Sequence, residues 1–265
     1  QLHSAIAFYN SGFETATSVI VDSNGSCNKL SEDGTLYFET ESIFDCSYTK
    51  GIKTLYKKVH CDKGRSYTIK NNHNPTLDET FELVADEGPG IGKVWDAVTN
   101  YCGFHITDCG KTMGLSAYGC ENDEMPDLFR DDTANKDLIK AYYPQRTELN
   151  LSKYDFLNDK DMAFKCQKET QEQVLNLIIK ASEMSEEKNI VLSGGYALNC
   201  VSNYYYLDKL KEHDIHLYVE PNSSDAGTAT GAALLWHSTI NNDISKRKRI
   251  KNLYLGPEYN YSRDE

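Results

Sequence analysis

The sequence predicts an α/β fold, and two stretches near its carboxyl end carry that prediction. The first runs from Asn189 to Asn203. Ile190 to Leu192 is a short apolar, β-branched run that reads as a buried strand. Gly194-Gly195 ends it, and the residues that follow have the composition of a helix packed on a sheet. A strand that breaks at two glycines and opens a helix lets backbone approach a ligand and aims unpaired N–H groups at an anion. Without further support, the same pattern also describes an ordinary strand-to-helix turn.

The second stretch repeats the plan. A strand at Ile215 to Val219 leads through Pro221-Asn-Ser-Ser-Asp225 into the small-residue opening of an apolar helix, Ala226-Gly227-Thr-Ala-Thr-Gly231-Ala-Ala. Gly227 and Gly231 fall on one helix face, where a backbone or a phosphate can come close. Two successive strand–loop–helix units make a βαβ pattern, in which ligands sit at the carboxyl ends of the strands. Gly194, Gly195 and Asp225 are therefore expected on one rim.

From the start of the chain, Ser4 to Tyr9 reads as a small-residue helix ending before Gly12, and Ala16 to Val21 as a β-branched strand ending at Asp22. Ser23-Asn24-Gly25 has the composition of a hairpin turn, with a carboxylate at the mouth of a phosphate or metal site as the other reading. Leu36 to Phe38 and Thr54 to Val59 read as strands of a meander, separated by the polar stretch Glu39 to Lys50. His60 and His73 read as surface histidines and Asn71 to Glu79 as loop. Gly90 to Phe104 has Ile91, Val94, Trp95, Val98 and Tyr101 at helical spacing, which leaves Lys93 and Asp96 on faces that are usually solvated. Asp108 to Gly119 is glycine-rich and contains Lys111, but lacks both the P-loop spacing and a preceding apolar strand. Glu121 to Tyr154 looks like polar surface helices and loops. Asp159 to Met184 reads as a long helix with Phe164, Val174, Leu175, Ile178 and Ile179 inward. The basic run Lys246 to Lys251 reads as a solvated linker.

Composition narrows the function classes. With 39% hydrophobic and 26% charged residues and no apolar run near the ~20 needed to span a bilayer, neither a membrane span nor a leader is expected. A net charge of −12 argues against nucleic-acid binding and requires any anionic substrate to find local positive elements. Eight cysteines without a CxxC pair read as reduced thiols of a cytoplasmic protein. The chain opens on Gln1 rather than Met, which reads as a fragment or a processed chain.

Gly194-Gly-Tyr-Ala-Leu-Asn-Cys200 and Ser224-Asp-Ala-Gly-Thr-Ala-Thr-Gly-Ala-Ala233 together resemble the O-carbamoyltransferases of antibiotic and nodulation-factor biosynthesis. Tyr196 stands where that family has Val, and Thr228 where it has Gly. His3-Ser-Ala-Ile-Ala-Phe-Tyr-Asn-Ser-Gly-Phe13 is similar to the family's His-x-x-x-His stretch from its second histidine onward. The first would fall before Gln1. Val21-Asp22 matches a family Val-Asp-Gly-x-Gly-Glu, with Ser23 and Ser26 as departures. Gly110, Lys111, Met113, Gly114, Leu115, Tyr118 and Gly119 keep the family's Gly-Lys-x-Met-Gly-Leu stretch, and Leu253 to Glu258 resembles its Leu-Gly-Pro exit.

The resemblance implies an actin/sugar-kinase-like (ASKHA) domain with mixed sheets flanked by helices, truncated at both ends. It would occupy residues 1–257, lack the opening β-hairpin, and be followed by 258–265 as the start of a linker to a second domain. It implies carbamoyl transfer from carbamoyl-adenylate, made from carbamoyl phosphate and ATP, to a hydroxyl of a small-molecule acceptor. His3, Asp22 and Asp225 would hold a divalent metal of the iron type, with His3 and Asp225 serving catalysis. Gly194, Gly195, Asn199, Gly227, Lys111, Gly110 and Gly114 would line the nucleotide. A homodimer is compatible with it, and no nucleic-acid or membrane partner is implied. The alternatives are a tRNA threonylcarbamoyl transferase-like enzyme, which the Lys111-Thr-Met-Gly-Leu115 stretch disfavours, and a non-catalytic nucleotide-binding remnant.

Overall fold

The protein was analysed as a computed structural model describing residues 1–29, 35–61, 66–142, 146–150, 158–241, 249–254, 256, 257 and 259. Helix α1 (Leu2–Ser11) precedes strands β1 (Thr15–Val21), β2 (Cys27–Lys29), β3 (Leu36–Ser47), β4 (Gly51–Cys61), β5 (Tyr67–Asn74) and β6 (Glu79–Asp86). Helices α2 (Ile91–Tyr101) and α3 (Cys109–Ser116) follow, then short strands β7 (Phe129–Arg130), β8 (Thr133–Ala134), β9 (Ile139–Tyr142) and β10 (Arg146–Leu149). The long helix α4 (Asp159–Ser185) leads into β11 (Asn189–Ser193), α5 (Cys200–Lys209), β12 (His216–Val219) and α6 (Ala226–Asn241).

One large mixed sheet organises the chain, in the order β12-β11-β1-β3-β4-β6-β5 with β2 beside β3. β1 is parallel to β11, and β11 to β12, while β3 runs antiparallel to both β1 and β4. Since β6 is parallel to β4, five strands (β12, β11, β1, β4 and β6) deliver their carboxyl ends to the same edge. The inner strands alternate between two cores, as a strand covered on both faces must. Val19, Val21, Ile190 and Leu192 pack with α2 and α4, while Ile20 and Val191 pack with Phe8 and Tyr9 of α1. The result is a mixed α/β fold with α1 on one face and α2 to α5 on the other.

Helix α6 forms an outer layer on α1 and buries only Gly227 and Gly231. A Cβ on Gly231 would lie 2.1 Å from the carbonyl oxygen of Leu2, and one on Gly227 would lie 1.9 Å from that of Asn222. The predicted close approach is therefore real, and a neighbouring backbone makes it. Ordinary packing of Leu- or Ala-sized residues would push α6 off α1.

Several expectations need correction. Ser23-Asn24-Gly25 is not a hairpin turn. β1 and β2 both pair with β3, and the segment between them is a loop bulging from the sheet, tied by Gly25 N–H to Glu39 O. Glu39 to Lys50 is mostly strand, because β3 runs through it on an irregular register with Thr40, Glu41 and Ser42 buried. Asn71 to Asn74 belongs to β5, so only residues 75–78 form the turn. His60 is buried, with Nδ1 3.1 Å from Gly88 O, whereas His73 is exposed as expected. Glu121 to Tyr154 contains the short strands β7 to β10 and no helix among its described residues, and residues 143–145 and 151–154 of it lie outside them. Of the basic run and its exit, residues 246–248, 255 and 258 lie outside the described residues, as does most of the expected linker. In the described part of the run Arg249 and Lys251 are exposed, as expected, but Ile250 is not: its N–H donates to Asn10 O and its side chain packs on the core that holds α1.

All eight cysteines are free thiols. Burial pushes the Cys46 and Cys102 thiols up to about 12, which keeps them protonated and inert at neutral pH. Among the described residues no helix is long and apolar enough to cross a membrane.

Gly231→Ala tests the α1–α6 seam. The added methyl meets backbone, which gives only by moving a helix, so urea denaturation should show a loss of about 1–3 kcal/mol. An unchanged midpoint would mean that the two helices do not need this contact.

Candidate functional site

Three side chains from distant parts of the sequence meet at the shared edge. Asp22 follows the last residue of β1, Asp225 lies in the loop after β12, and His3 stands in the first turn of α1. The Nε2 of His3 is 3.1 Å from Asp22 Oδ2 and 3.4 Å from Asp225 Oδ1. One ligand atom from each of the three lies within 4.8 Å of the others. Two ligands held ~2.1 Å from one ion at right or tetrahedral angles would be ~3.0–3.4 Å apart, so the spacing suits a shared cation.

The environment of the three groups is graded. The side chains of His3 and Asp22 are 15% and 16% exposed, while that of Asp225 is 91% exposed. The site is thus built on two sheltered groups and opens to solvent at the third. Nδ1 of His3 is buried and has no hydrogen-bond partner among the described residues, so only Nε2 faces the carboxylates. Two carboxylates with one imidazole leave a net negative, mixed N/O donor set of the kind divalent transition metals take.

The glycine pair stands over Asp22. Gly194 is buried with φ +94°, and a Cβ there would lie 2.2 Å from Val21 O. Any other residue would be strained in its own backbone and would also strike β1. At Gly195 a Cβ would come within 3.1 Å of Asp22 Oδ1, so the backbone itself walls one side of the carboxylate. Gly195–Leu198 is a short 3-10 turn and α5 begins only at Cys200, later than the glycine pattern suggested.

Buried hydrogen bonds lock that turn to α4. The amide of Asn199 donates to Gln167 Oε1 at 3.0 Å, and Gln167 Nε2 donates to Ser202 Oγ at 2.8 Å. Ser202 Oγ lies 2.9 Å from Tyr196 Oη, which donates to Thr170 Oγ1 at 3.2 Å. Thr170 also accepts from Trp95 Nε1 at 3.0 Å and passes its own proton to Cys166 O. Asn199 Oδ1 accepts from Ser202 N–H and caps α5, so both ends of this side chain are committed to the turn. Burial raises the Tyr196 hydroxyl above its ordinary pKa and keeps it a donor.

The glycine-rich stretch around Lys111 is helix α3, not a loop. Gly110 and Gly114 face open space, and Lys111 is exposed and paired with Asp108 at 2.9 Å. The helix bridges both halves of the site. Cys109 Sγ is 3.9 Å from Asp96 Oδ1 at one end, and Met113 Sδ is 4.0 Å from Cys200 Sγ at the other. Lys93 and Asp96, expected in solvent, form a buried ion pair at 2.9 Å, and Asp96 accepts from Ser23 Oγ. Their three-residue spacing resembles any charged helix face, so only the loop packed above α2 could have marked them as inward.

Residues 1–234 match the family described as Carbamoyltransferase N-terminus. The chain belongs to that family. As one of its members it is 32% identical over 195 residues to the uncharacterized protein sll1178 of Synechocystis, covering 64% of this chain and 31% of that one. It is 27% identical over 188 residues to the nodulation protein NolNO of Sinorhizobium fredii, covering 65% of this chain and 26% of the relative. This family member thus spans less than a third of the length of either relative. In fold it is similar to full-length HypF in the phosphate- and nucleotide-bound form, with a TM-score of 0.51, 14% identity, and coverage of 91% of this chain and 35% of that one. HypF of T. kodakarensis gives a TM-score of 0.51 at 12% identity, covering 90% of this chain and 36% of that one.

Tyr196→Phe should loosen the turn without filling or emptying space. It leaves the Ser202 hydroxyl without its acceptor, which costs about 1–3 kcal/mol when a buried group loses its partner. Chemical denaturation measures this, and a change below a few tenths of a kcal/mol would show that the hydrogen bonds rearrange freely.

Proposed function

We propose that this carbamoyltransferase-family chain carries the transfer site of an O-carbamoyltransferase, within an actin/sugar-kinase-like domain covering residues 1–257. The observation that supports the reading best is the convergence of His3, Asp22 and Asp225 at the edge where the Gly194-Gly195 turn begins. The donor set fits a divalent metal, with iron as the proposed ion, and these three residues would hold it. Such an ion would act as a Lewis acid toward phosphate or carbonyl oxygen.

The chain's own groups supply the rest. In the proposed reaction the acceptor oxygen bonds to the carbamoyl carbon of carbamoyl-adenylate as the carbon–phosphate-oxygen bond breaks. AMP leaves with that electron pair, and the acceptor's proton is released to water. Gly194 lets the turn pass over β1, so that the backbone at Gly195 can lie against the adenylate, and Asn199 keeps their turn in place. Gly227 stands at the start of α6, whose amino end attracts an anion. Lys111, with Gly110 and Gly114 beside it on an open helix face, is a mobile positive charge for phosphate. The ultimate donors would be carbamoyl phosphate and ATP, and the acceptor a small hydroxylated molecule. The nucleotide-bound HypF neighbour makes nucleotide binding by this fold a reasonable premise.

Binding of Mn²⁺ or Fe²⁺ to the chain, followed by calorimetry, tests the ligand set directly. His3→Ala and Asp22→Asn should each weaken binding by at least ~10-fold, because each removes a direct ligand. Equal affinity in the wild type and both variants would reject the assignment.

Asp225→Asn, placed in the whole protein, separates the two half-reactions. Asn retains shape and loop hydrogen bonding but loses the charge, so folding should change little while carbamoyl delivery falls by ~10²–10³. Formation of carbamoyl-adenylate from carbamoyl phosphate and ATP should persist. Loss of both halves to the same degree in folded protein, or of neither, would remove Asp225 from this role.

A further inference from the structure

The loop bearing Asp22 is held from beneath by α2 in a way that family membership does not explain. The two oxygens of Asp22 have separate duties. Oδ1 accepts from the Ser23 N–H at 2.7 Å and faces the Gly195 backbone, while Oδ2 faces His3. The side chain of Ser23 points the other way in bonding terms: its hydroxyl donates to Asp96 Oδ2 at 2.8 Å. Lys93 Nζ donates to the same oxygen at 2.9 Å, and the side chains of Lys93 and Asp96 are only 5% and 11% exposed. The contact is close because position 92 is glycine. A Cβ there would lie 2.6 Å from both Asp22 O and Ser23 N.

We infer that Ser23 is a positioning residue for Asp22. Its hydroxyl, fixed by the buried Asp96–Lys93 pair, sets the peptide whose N–H holds Asp22 Oδ1 and so turns Oδ2 toward His3. Ser23 and Asn24 are otherwise partly exposed and Gly25 fully so, and the backbone ties to β3 lie on either side of Ser23: Asp22 N–H donates to Thr40 O at 3.4 Å and Gly25 N–H to Glu39 O at 2.8 Å, which leaves the Ser23 peptide itself without one among the described residues. A loop with that exposure samples many conformations unless a buried anchor selects one. Asp96 is such an anchor, and it holds the Cys109 end of α3 at 3.9 Å as well, so the same carboxylate aligns the helix that carries Lys111.

The inference rests on the reading of Asp22 as a metal ligand, and the experiment keeps the two apart. Ser23→Ala removes only the hydroxyl and leaves Asp96 paired with Lys93, while Ser23→Thr restores a hydroxyl; Asp22→Asn is the ligand control. In metal-free protein, the exchange rate of the residue-23 amide with deuterium should rise by ~10-fold in Ser23→Ala and stay near the wild-type rate in Ser23→Thr. With Mn²⁺ as the probe, Ser23→Ala should bind ~10-fold more weakly, the usual size of an outer-shell effect, while Ser23→Thr retains affinity. Unchanged amide exchange in Ser23→Ala overturns the inference, and so does faster exchange that merely follows a fall in global stability. If the wild type binds Mn²⁺, Asp22→Asn abolishes it, and Ser23→Ala binds as the wild type does, the inference fails while the metal reading stands. If the wild type binds no Mn²⁺, the metal reading fails, and the exchange result alone decides whether Ser23 positions Asp22.

Discussion

The site depends on one backbone contact, the passage of Gly194 across the carbonyl of Val21. β11 and β1 are parallel neighbours, and each must leave the sheet at the same edge. The chain leaving β11 turns so tightly over β1 that no side chain fits at position 194, and φ there is +94°. That crossing puts Gly195 beside Asp22 and aims the following turn toward α4. The buried amide and hydroxyl network from Asn199 to Thr170 then holds what the glycine permits. A flexible residue makes the path available, and a rigid set of hydrogen bonds selects it.

A second seam works by the same means on the other face of the sheet. His3 reaches the edge because α1 lies on β1 and β11, and Asp225 reaches it because α6 starts against α1 with glycine at the contact. His3 is thus placed by helix packing, and Asp225 by the start of α6 on α1 together with the loop that folds back on Gly227 at Asn222. The opposite side of Asp22 is shaped by α2, where Gly92 and the Lys93–Asp96 pair support the loop from within the protein. Asp22 is thus enclosed by α1, α2 and the β11 turn, while Asp225 remains in solvent.

What the sequence revealed depended on the range of the interaction. The β11 and β12 units were legible because a short apolar run, a glycine break and a small-residue helix are all local signals. The long helix α4 was legible for the same reason. The meeting of His3, Asp22 and Asp225 could be expected only through resemblance, since no spacing relates these positions. β3 was misread as a polar connector because Glu41 is buried for a partner far along the chain: it accepts the Ile91 N–H that opens α2. Lys93 and Asp96 were misread in the same sense, as solvated charges, because the pair is buried beneath the loop of Ser23, whose hydroxyl donates to Asp96 from far along the chain. Polar residues buried by a distant partner carry no periodic signature.

The threefold convergence also has a kinetic meaning. Its members come from the first helix, the strand after it and the loop before the last described helix, and β12 must be docked before Asp225 arrives. β12 lies at the far edge and pairs with β11, so Asp225 is placed beside Asp22 only once β11 has also paired with β1. Contacts of such sequence separation close late, because loop entropy is spent before they repay it. A nascent or partly unfolded chain therefore presents His3 and Asp22 without their third companion. The cluster is a completion signal for one end of the sheet: it comes into existence only when β1, β11 and β12 are assembled with α1 upon them.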